Sequence, residues 1–282
     1  MTLLSAREVF AHAGEQGHAV VLCLDVAGGN ADVIDAVCRS LAAVNSSAFL
    51  SSTPRSIADY LGTGHFVRAV AEAQDRYGLV LAAHLDHAED PRDVERALDA
   101  GVRSVMFDGS ARPLAENISE SLRLIEQAHA VGATLEAEVG VIGGKEDPGA
   151  PATAHNADVA DVEAFVAAVE PDLFAPAVGT IHGRRGGEAN VAWDIAARFG
   201  KELAMPLVLH GTTGLPTADV RRLVGLGYRK VNYATAVRDA FVAGVAGVLD
   251  REPDSVRPQS VLAGGRDEVR RVVAELLLRL LQ

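Results

Sequence analysis

The chain has 282 residues, a formal net charge of −12 and a hydrophobic content of 49%. That charge, with no Lys/Arg-rich run, excludes a nucleic-acid-binding surface, and no apolar run reaches the roughly 20 residues of a membrane span. The length suits one α/β barrel, large enough to bury its core without disulfide staples.

Cys23 and Cys38 are the only cysteines and read as free thiols rather than a disulfide framework. Arg7 and Glu8 stand where a signal peptide would need apolar residues, so a cytoplasmic protein is expected. Short runs rich in Val, Leu and Ile then alternate with longer amphipathic stretches. Strands are predicted near 19–24, 46–50, 79–84, 102–107, 133–138, 173–178, 206–209 and 228–231. Helices are predicted over 31–43, 65–77, 90–99, 114–131, 158–169, 188–199 and 217–225. Asp90-Pro91 and Pro216-Thr217 mark helix starts, where the fixed φ of proline fits the first turn. Gly101, Gly132 and Gly227 stand where helices should stop. Strand and helix alternating eight times predict an α/β fold, a single-domain (β/α)8 TIM barrel over 1–282. A doubly wound open sheet is the alternative, but no glycine-rich dinucleotide fingerprint follows the first strand. The stretch 139–157, with Gly140, Gly143, Gly144, Pro148, Gly149 and Pro151, has the composition of a functional lid. The last segment, 265–282, reads as an amphipathic helix packed on the barrel.

In such barrels the active site is built at the C-terminal ends of the strands. Six successive predicted strands here end in polar residues. AAHLDHAED places Asp86 and His87 at the third tip, and SVMFDGS places Asp108 at the fourth. LEAEVG brings Glu138, VGTIHG brings His182, LVLHGTTG brings His210, and KVNYAT brings Asn232 and Thr235. One histidine at a strand end is more often a hydrogen-bonded structural residue than a ligand. Three on one rim suit a divalent metal, zinc above all, and leave a coordination position open for substrate. His12, His18, His65 and His129 are expected on the surface, His155 in the long loop and His84 in the core.

The ordered set HLDH, SVMFDGS, EAEVGVIGGKED, VGTIHG, LVLHGTTGL and KVNYAT, spanning about 79–240, resembles the class II, zinc-dependent ketose-bisphosphate aldolases. This family includes fructose- and tagatose-1,6-bisphosphate enzymes. The resemblance implies that His87, His182 and His210 hold Zn2+. It implies that Asp86 is the acid serving the aldehyde oxygen, and that Glu146 moves the proton on the donor carbon. Asp108 and Glu138 would stand beside the metal as an alternative or second cation site. Gly183, Gly211, Thr213, Asn232 and Thr235 would hold the donor phosphate and hydroxyl. The family also implies a small phosphorylated sugar as partner and a homodimer or homotetramer.

The sequence departs from the pattern in places. Leu24 falls where an asparagine is usual, unless Asp25 takes that place through a one-residue shift. Thr212-Thr213 replace Ala-Ser, Lys145 precedes Glu146, and Arg184-Arg185 follow Gly183. These differences cluster where substrate contacts are expected. The alternatives are therefore the same metal-dependent aldol mechanism on another substrate, or a non-catalytic metal-binding relative. A Schiff-base mechanism would need a lysine inside the barrel, and Lys230 is the one candidate.

Overall fold

The computed structural model describes residues 3–144, 155–183, 190–254 and 257–281. Its strands are β1 (Val21–Asp25), β2 (Ala48–Ser52), β3 (Leu81–Ala88), β4 (Ser104–Phe107), β5 (Thr134–Val139), β6 (Gly143–Gly144), β7 (Leu173–Pro176), β8 (Ile181–His182), β9 (Leu207–Leu209) and β10 (Tyr228–Tyr233). Eight of them close into a parallel barrel in the order β1-β2-β3-β4-β5-β7-β9-β10, with β10 returning to β1. The two-residue strands β6 and β8 pair only with each other. The helices are α1 (Ala6–Glu15), α2 (Ala31–Ala42), α3 (Pro54–Asp59), α4 (Thr63–Tyr77), α5 (Pro91–Asp99), α6 (Leu114–Ala130), α7 (Val159–Val169), α8 (Trp193–Glu202), α9 (Thr217–Gly225), α10 (Thr235–Arg251) and α11 (Pro258–Leu280). Among the described residues no helix is long and apolar enough to cross a membrane.

The predicted strands are all present, and the eighth runs on to Tyr233. The helix predicted over 188–199 is displaced to Trp193–Glu202. The reason is local: the amides of Asn190 and Ala192 donate to the carbonyls of Gly179 and Val178, so this stretch is tied to the chain after β7. The final helix begins at Pro258, earlier than predicted, with proline in its first turn. It packs on α10 and α2, and Gly244 and Gly264 let the α10 and α11 backbones touch: a Cβ at Gly244 would meet the Gly264 carbonyl oxygen at 2.1 Å.

Successive residues of a strand face opposite sides of the sheet, and in this barrel that parity separates two chemistries. Leu22 and Leu24 of β1, Ala83 and Leu85 of β3, Leu135 and Ala137 of β5, and Val231 and Tyr233 of β10 pack outward against the helices. Their neighbours point into the barrel. At the N-terminal end the interior is apolar, and α1 plugs it with Ala6, Val9 and Ala13 against Val21, Phe49, Ala82, Leu173 and Val208. Higher up, the inward positions become His84, Glu136 and Lys230, then Asp86, Glu138, His210 and Asn232, all buried. The free thiols Cys23 and Cys38 are buried too.

The helix ends follow ordinary capping chemistry. The side chain of Asn30 accepts from the amides of Asp32 and Val33 at 3.0 and 3.2 Å, satisfying two donors at the start of α2. Asn30→Ala is expected to lower stability by about 1 kcal/mol in urea denaturation without altering the active site. A change below a few tenths of a kcal/mol would show that the cap carries little.

Candidate active site

Parity alone would send Asp86 and His87 to opposite faces of β3. The strand avoids this with an irregularity: its register against β4 shifts between Leu85 and Ala88, and His87 takes a φ of +46°. A bulge of this kind re-aims a side chain, and a non-glycine residue in the left-handed region stores about 1 kcal/mol or more of strain. Both consecutive polar side chains thereby reach the same rim.

Three imidazole rings meet there. His87 lies at the end of β3, His182 in β8 and His210 directly after β9. One ring nitrogen from each lies within 4.8 Å of the others. His87 Nε2 is 3.0 Å from His210 Nδ1. On its far side, His87 Nδ1 donates to Asp108 Oδ2 at 2.9 Å, and Ser110 Oγ donates to Asp108 Oδ1 at 2.6 Å. Glu138 lies 3.9 Å from His87 Nδ1, so His87, Asp108 and Glu138 form a second group with ligand geometry that shares one ring with the first.

The electrostatics of the rim favour a positive charge. Burial works against a charge on His87. The hydrogen bond to Asp108 and the charges of Asp86, Asp108 and Glu138 outweigh it and hold the His87 pKa well above the ordinary imidazole value. Burial opposes ionisation of Asp108 as well, yet the His87 hydrogen bond and charge, with Ser110, pull it down to about 2. Burial, then the charge of Asp108, pushes Glu138 well up. Burial and the charge on His87 push His210 well down, leaving the neutral imidazole that a metal requires. A net charge placed where three rings converge, ringed by carboxylates, is what a divalent cation would replace, and the donor set fits one.

Asp86 is 2% exposed and lies beside the histidine cluster, with Asn232 Nδ2 donating to its Oδ1 at 3.3 Å. The same amide nitrogen is 3.3 Å from His210 Nδ1. Gly183 and Gly211 follow β8 and β9 with φ of +81° and +67°. A Cβ at Gly211 would meet the Ile181 amide nitrogen at 2.7 Å, so only glycine fits. Thr213 and Thr235 stand half-buried at the same end of the barrel, Thr235 opening α10. Neither is joined to the histidines by a hydrogen bond in the way Asn232 is. Thr212 is buried, and its hydroxyl donates to the backbone carbonyl of Asn232. Glu146, Lys145, Arg184 and Arg185 lie outside the described residues. His155 sits in an exposed bridge with Val141.

The two first-strand residues face opposite ways. Leu24 faces outward, whereas Asp25 is 1% exposed at the tip and accepts from Arg238 Nε at 3.2 Å. Lys230 is fully buried, 2.9 Å from Glu136 Oε2. Burial would lower its pKa, but its acidic neighbours, Glu136 and Asp86 among them, outweigh that and hold the ammonium form. An ammonium has no lone pair for a Schiff base. Glu136 and the Asp25–Arg238 pair escaped the sequence reading. In TLEAEV the signal was available, since Glu136 has the parity of Glu138 and lies two residues deeper.

Gly144, paired with His182, has a φ of +99°, and a Cβ there would meet the His182 carbonyl oxygen at 2.1 Å. Gly144→Ala should displace His182 and weaken metal binding by roughly fivefold to a hundredfold, the scale of 1–3 kcal/mol of backbone strain. Titration with zinc in competition with a chelating dye measures this, and unchanged affinity would show that β6 does not hold the ligand.

A family model described as fructose-bisphosphate aldolase class-II matches residues 4–281. The D-tagatose-1,6-bisphosphate aldolase subunit of Klebsiella oxytoca is 33% identical, with 97% of each chain covered. A probable fructose-bisphosphate aldolase of Bacillus subtilis is 32% identical over 97% of this chain and 95% of its own. Among solved structures, the YdjI aldolase of Escherichia coli K12 superposes with a TM-score of 0.83 at 21% identity, covering 99% of this chain and 97% of that one. A putative fructose-1,6-biphosphate aldolase of Coccidioides immitis gives 0.84 at 25% identity, covering 98% and 95%. With the barrel, the three-histidine rim and full-length similarity in agreement, the chain belongs to the class-II fructose-bisphosphate aldolase family.

Proposed function

We propose that the protein is a zinc-dependent aldolase that reversibly cleaves a phosphorylated ketose, such as fructose or tagatose 1,6-bisphosphate, to dihydroxyacetone phosphate and an aldehyde. The observation that carries this reading is the convergence of His87, His182 and His210 beside a buried Asp86. Bound by the three imidazoles, zinc would supply a Lewis acid for the ketone oxygen.

The residues of the chain do the rest. In the cleavage direction Asp86 takes the proton of the hydroxyl next to the scissile bond, and in condensation it returns it. Asn232 orients Asp86 through its side-chain amide. The carbon–carbon bond breaks as that hydroxyl becomes the aldehyde, and its electron pair moves to the donor fragment. Glu146 then protonates the donor carbon. Gly183 and Gly211 expose backbone amides to the donor phosphate, with Thr213 and the amino end of α10 at Thr235 completing an anion cradle. Asp108 acts here as the hydrogen-bond partner that orients His87, and together with Glu138 it could accept a second cation.

The buried free thiols support a cytoplasmic enzyme. Val242 and Leu249, 65% and 42% exposed along α10, support a homodimer or homotetramer, which sedimentation velocity would test. The deciding experiment is metal analysis with a coupled assay for triose phosphate across ketose bisphosphates. Stoichiometric zinc and release of dihydroxyacetone phosphate are expected. Bound zinc with no retro-aldol activity on any ketose phosphate would favour the non-catalytic reading.

A further inference from the structure

Beneath the metal rim the barrel interior carries charge that the proposed chemistry does not use. Lys230 Nζ forms an ion pair with Glu136 Oε2 at 2.9 Å and donates to His84 Nε2 at 3.2 Å, and His84 Nδ1 faces Ser104 Oγ at 2.8 Å. The other oxygen of Glu136 is 2.9 Å from His210 Nε2. His84, Ser104, Glu136 and Lys230 are all fully buried. Replacing a buried ion pair by well-packed apolar residues is often neutral or stabilising, so stability alone does not explain this one.

We propose that Glu136 and Lys230 are positioning residues that decide which nitrogen of His210 is offered to the metal, an inference that rests on His210 being a ligand. A carboxylate can only accept, so His210 Nε2 carries the hydrogen facing Glu136. On the opposite side of the ring the side-chain NH2 of Asn232 can only donate, and it lies 3.3 Å from His210 Nδ1. Two independent neighbours thus require the same tautomer, in which Nδ1 is unprotonated; its lone pair, now faced by Asn232 Nδ2 at 3.3 Å and His87 Nε2 at 3.0 Å, is the one a metal would take. Asp108 does the same for His87 from the other side, accepting from Nδ1 and leaving Nε2 inward. The two rings are set by opposite nitrogens, and each is set by a carboxylate behind it.

The role of Lys230 follows from what glutamine would do at 136. The ammonium only donates, so it would claim the oxygen of the amide. The NH2 would then face His210 Nε2, which would have to give up its hydrogen, and the proton would move to Nδ1, where the metal lone pair is needed. If Lys230 is also removed, the amide is free to turn round. Its oxygen would then serve His210 and its NH2 would face His84 Nε2, which is 3.7 Å from the present Glu136 Oε2.

The test uses metal-depleted full-length protein with 15N-labelled histidine. Long-range 1H–15N spectra report the tautomer of His210, assigned against H210N, and zinc affinity is read by competition with a chelating dye. Wild-type protein should show His210 protonated on Nε2. E136Q should show it protonated on Nδ1 and bind zinc about 10–100-fold more weakly, the usual cost of losing a ligand's hydrogen-bond partner. E136Q/K230M should return to the wild-type tautomer and recover most of the affinity, an improvement that a merely space-filling role does not produce. Wild-type His210 protonated on Nδ1 overturns the proposal without any variant having to fold. So does E136Q with wild-type zinc affinity, or a double variant no tighter than the single one. Failure of the wild type to bind zinc would instead sink the ligand assignment, and the tautomer would still be readable.

Discussion

Asp86→Asn is expected to lower kcat by about a hundredfold to ten-thousandfold, the range associated with a positioned acid or base, while zinc remains bound. The amide keeps the shape and can still meet Asn232, but it cannot take a proton from the substrate hydroxyl. Because Asp86 is 2% exposed and lies within the polar interior, Asn is a gentler test than Ala, which would remove the carboxylate that the Asn232 amide meets. Steady-state kinetics with metal analysis on the same sample measure both halves of the expectation. Full turnover in the variant would remove Asp86 from the chemistry. A fall in activity matched by loss of zinc would assign it to holding the site together.

The second large effect is that of the metal itself. Removal by a chelator, or His210→Ala, should abolish measurable cleavage. Several kcal/mol of charge stabilisation at the ketone oxygen would be lost, and even about 3 kcal/mol corresponds to more than a hundredfold in rate. Chelated wild type should recover on adding zinc, whereas His210→Ala should not, since it lacks one of three imidazoles. Activity surviving exhaustive chelation, with the substrate trapped on Lys230 by borohydride, would reverse the assignment. The buried ion pair of Lys230 with Glu136 argues against that outcome.

Much of this architecture was legible in the sequence because burial and periodicity dictate it. Runs such as VVLCLD and SVMF are apolar on both sides, as a strand between core and helices must be. The polar residues that follow them have no packing reason to be there. His87, His182 and His210 could therefore be placed on one rim before any coordinates. The depth of the interior was harder to see. Glu136 is one of two acidic residues in LEAEVG, and only strand parity shows that it points inward beneath Glu138. His84 was expected in the core and is there, but its bond to Lys230 depends on a cross-barrel contact between residues 146 positions apart. The bulge at Asp86-His87 had no local signature either, since it rests on register with β4 and a backbone angle that sequence does not encode. The helix at 193–202 was misplaced because loop amides are committed to carbonyls near β7, a tertiary demand that overrides local propensity.

The short pair β6 and β8 joins two events that are otherwise treated separately. His182 is on one of these strands, and the other ends at Gly144, two residues before Glu146 in the sequence. A metal held by His182 would share the free energy of fixing it with the backbone pairing that fixes Gly143 and Gly144. By reciprocity, anything that secures those glycines must tighten the metal by the same factor. Protection of the Gly143 and Gly144 amides from hydrogen exchange should therefore rise with zinc occupancy. The ion and the root of the segment carrying Glu146 would then be thermodynamically linked rather than independent parts.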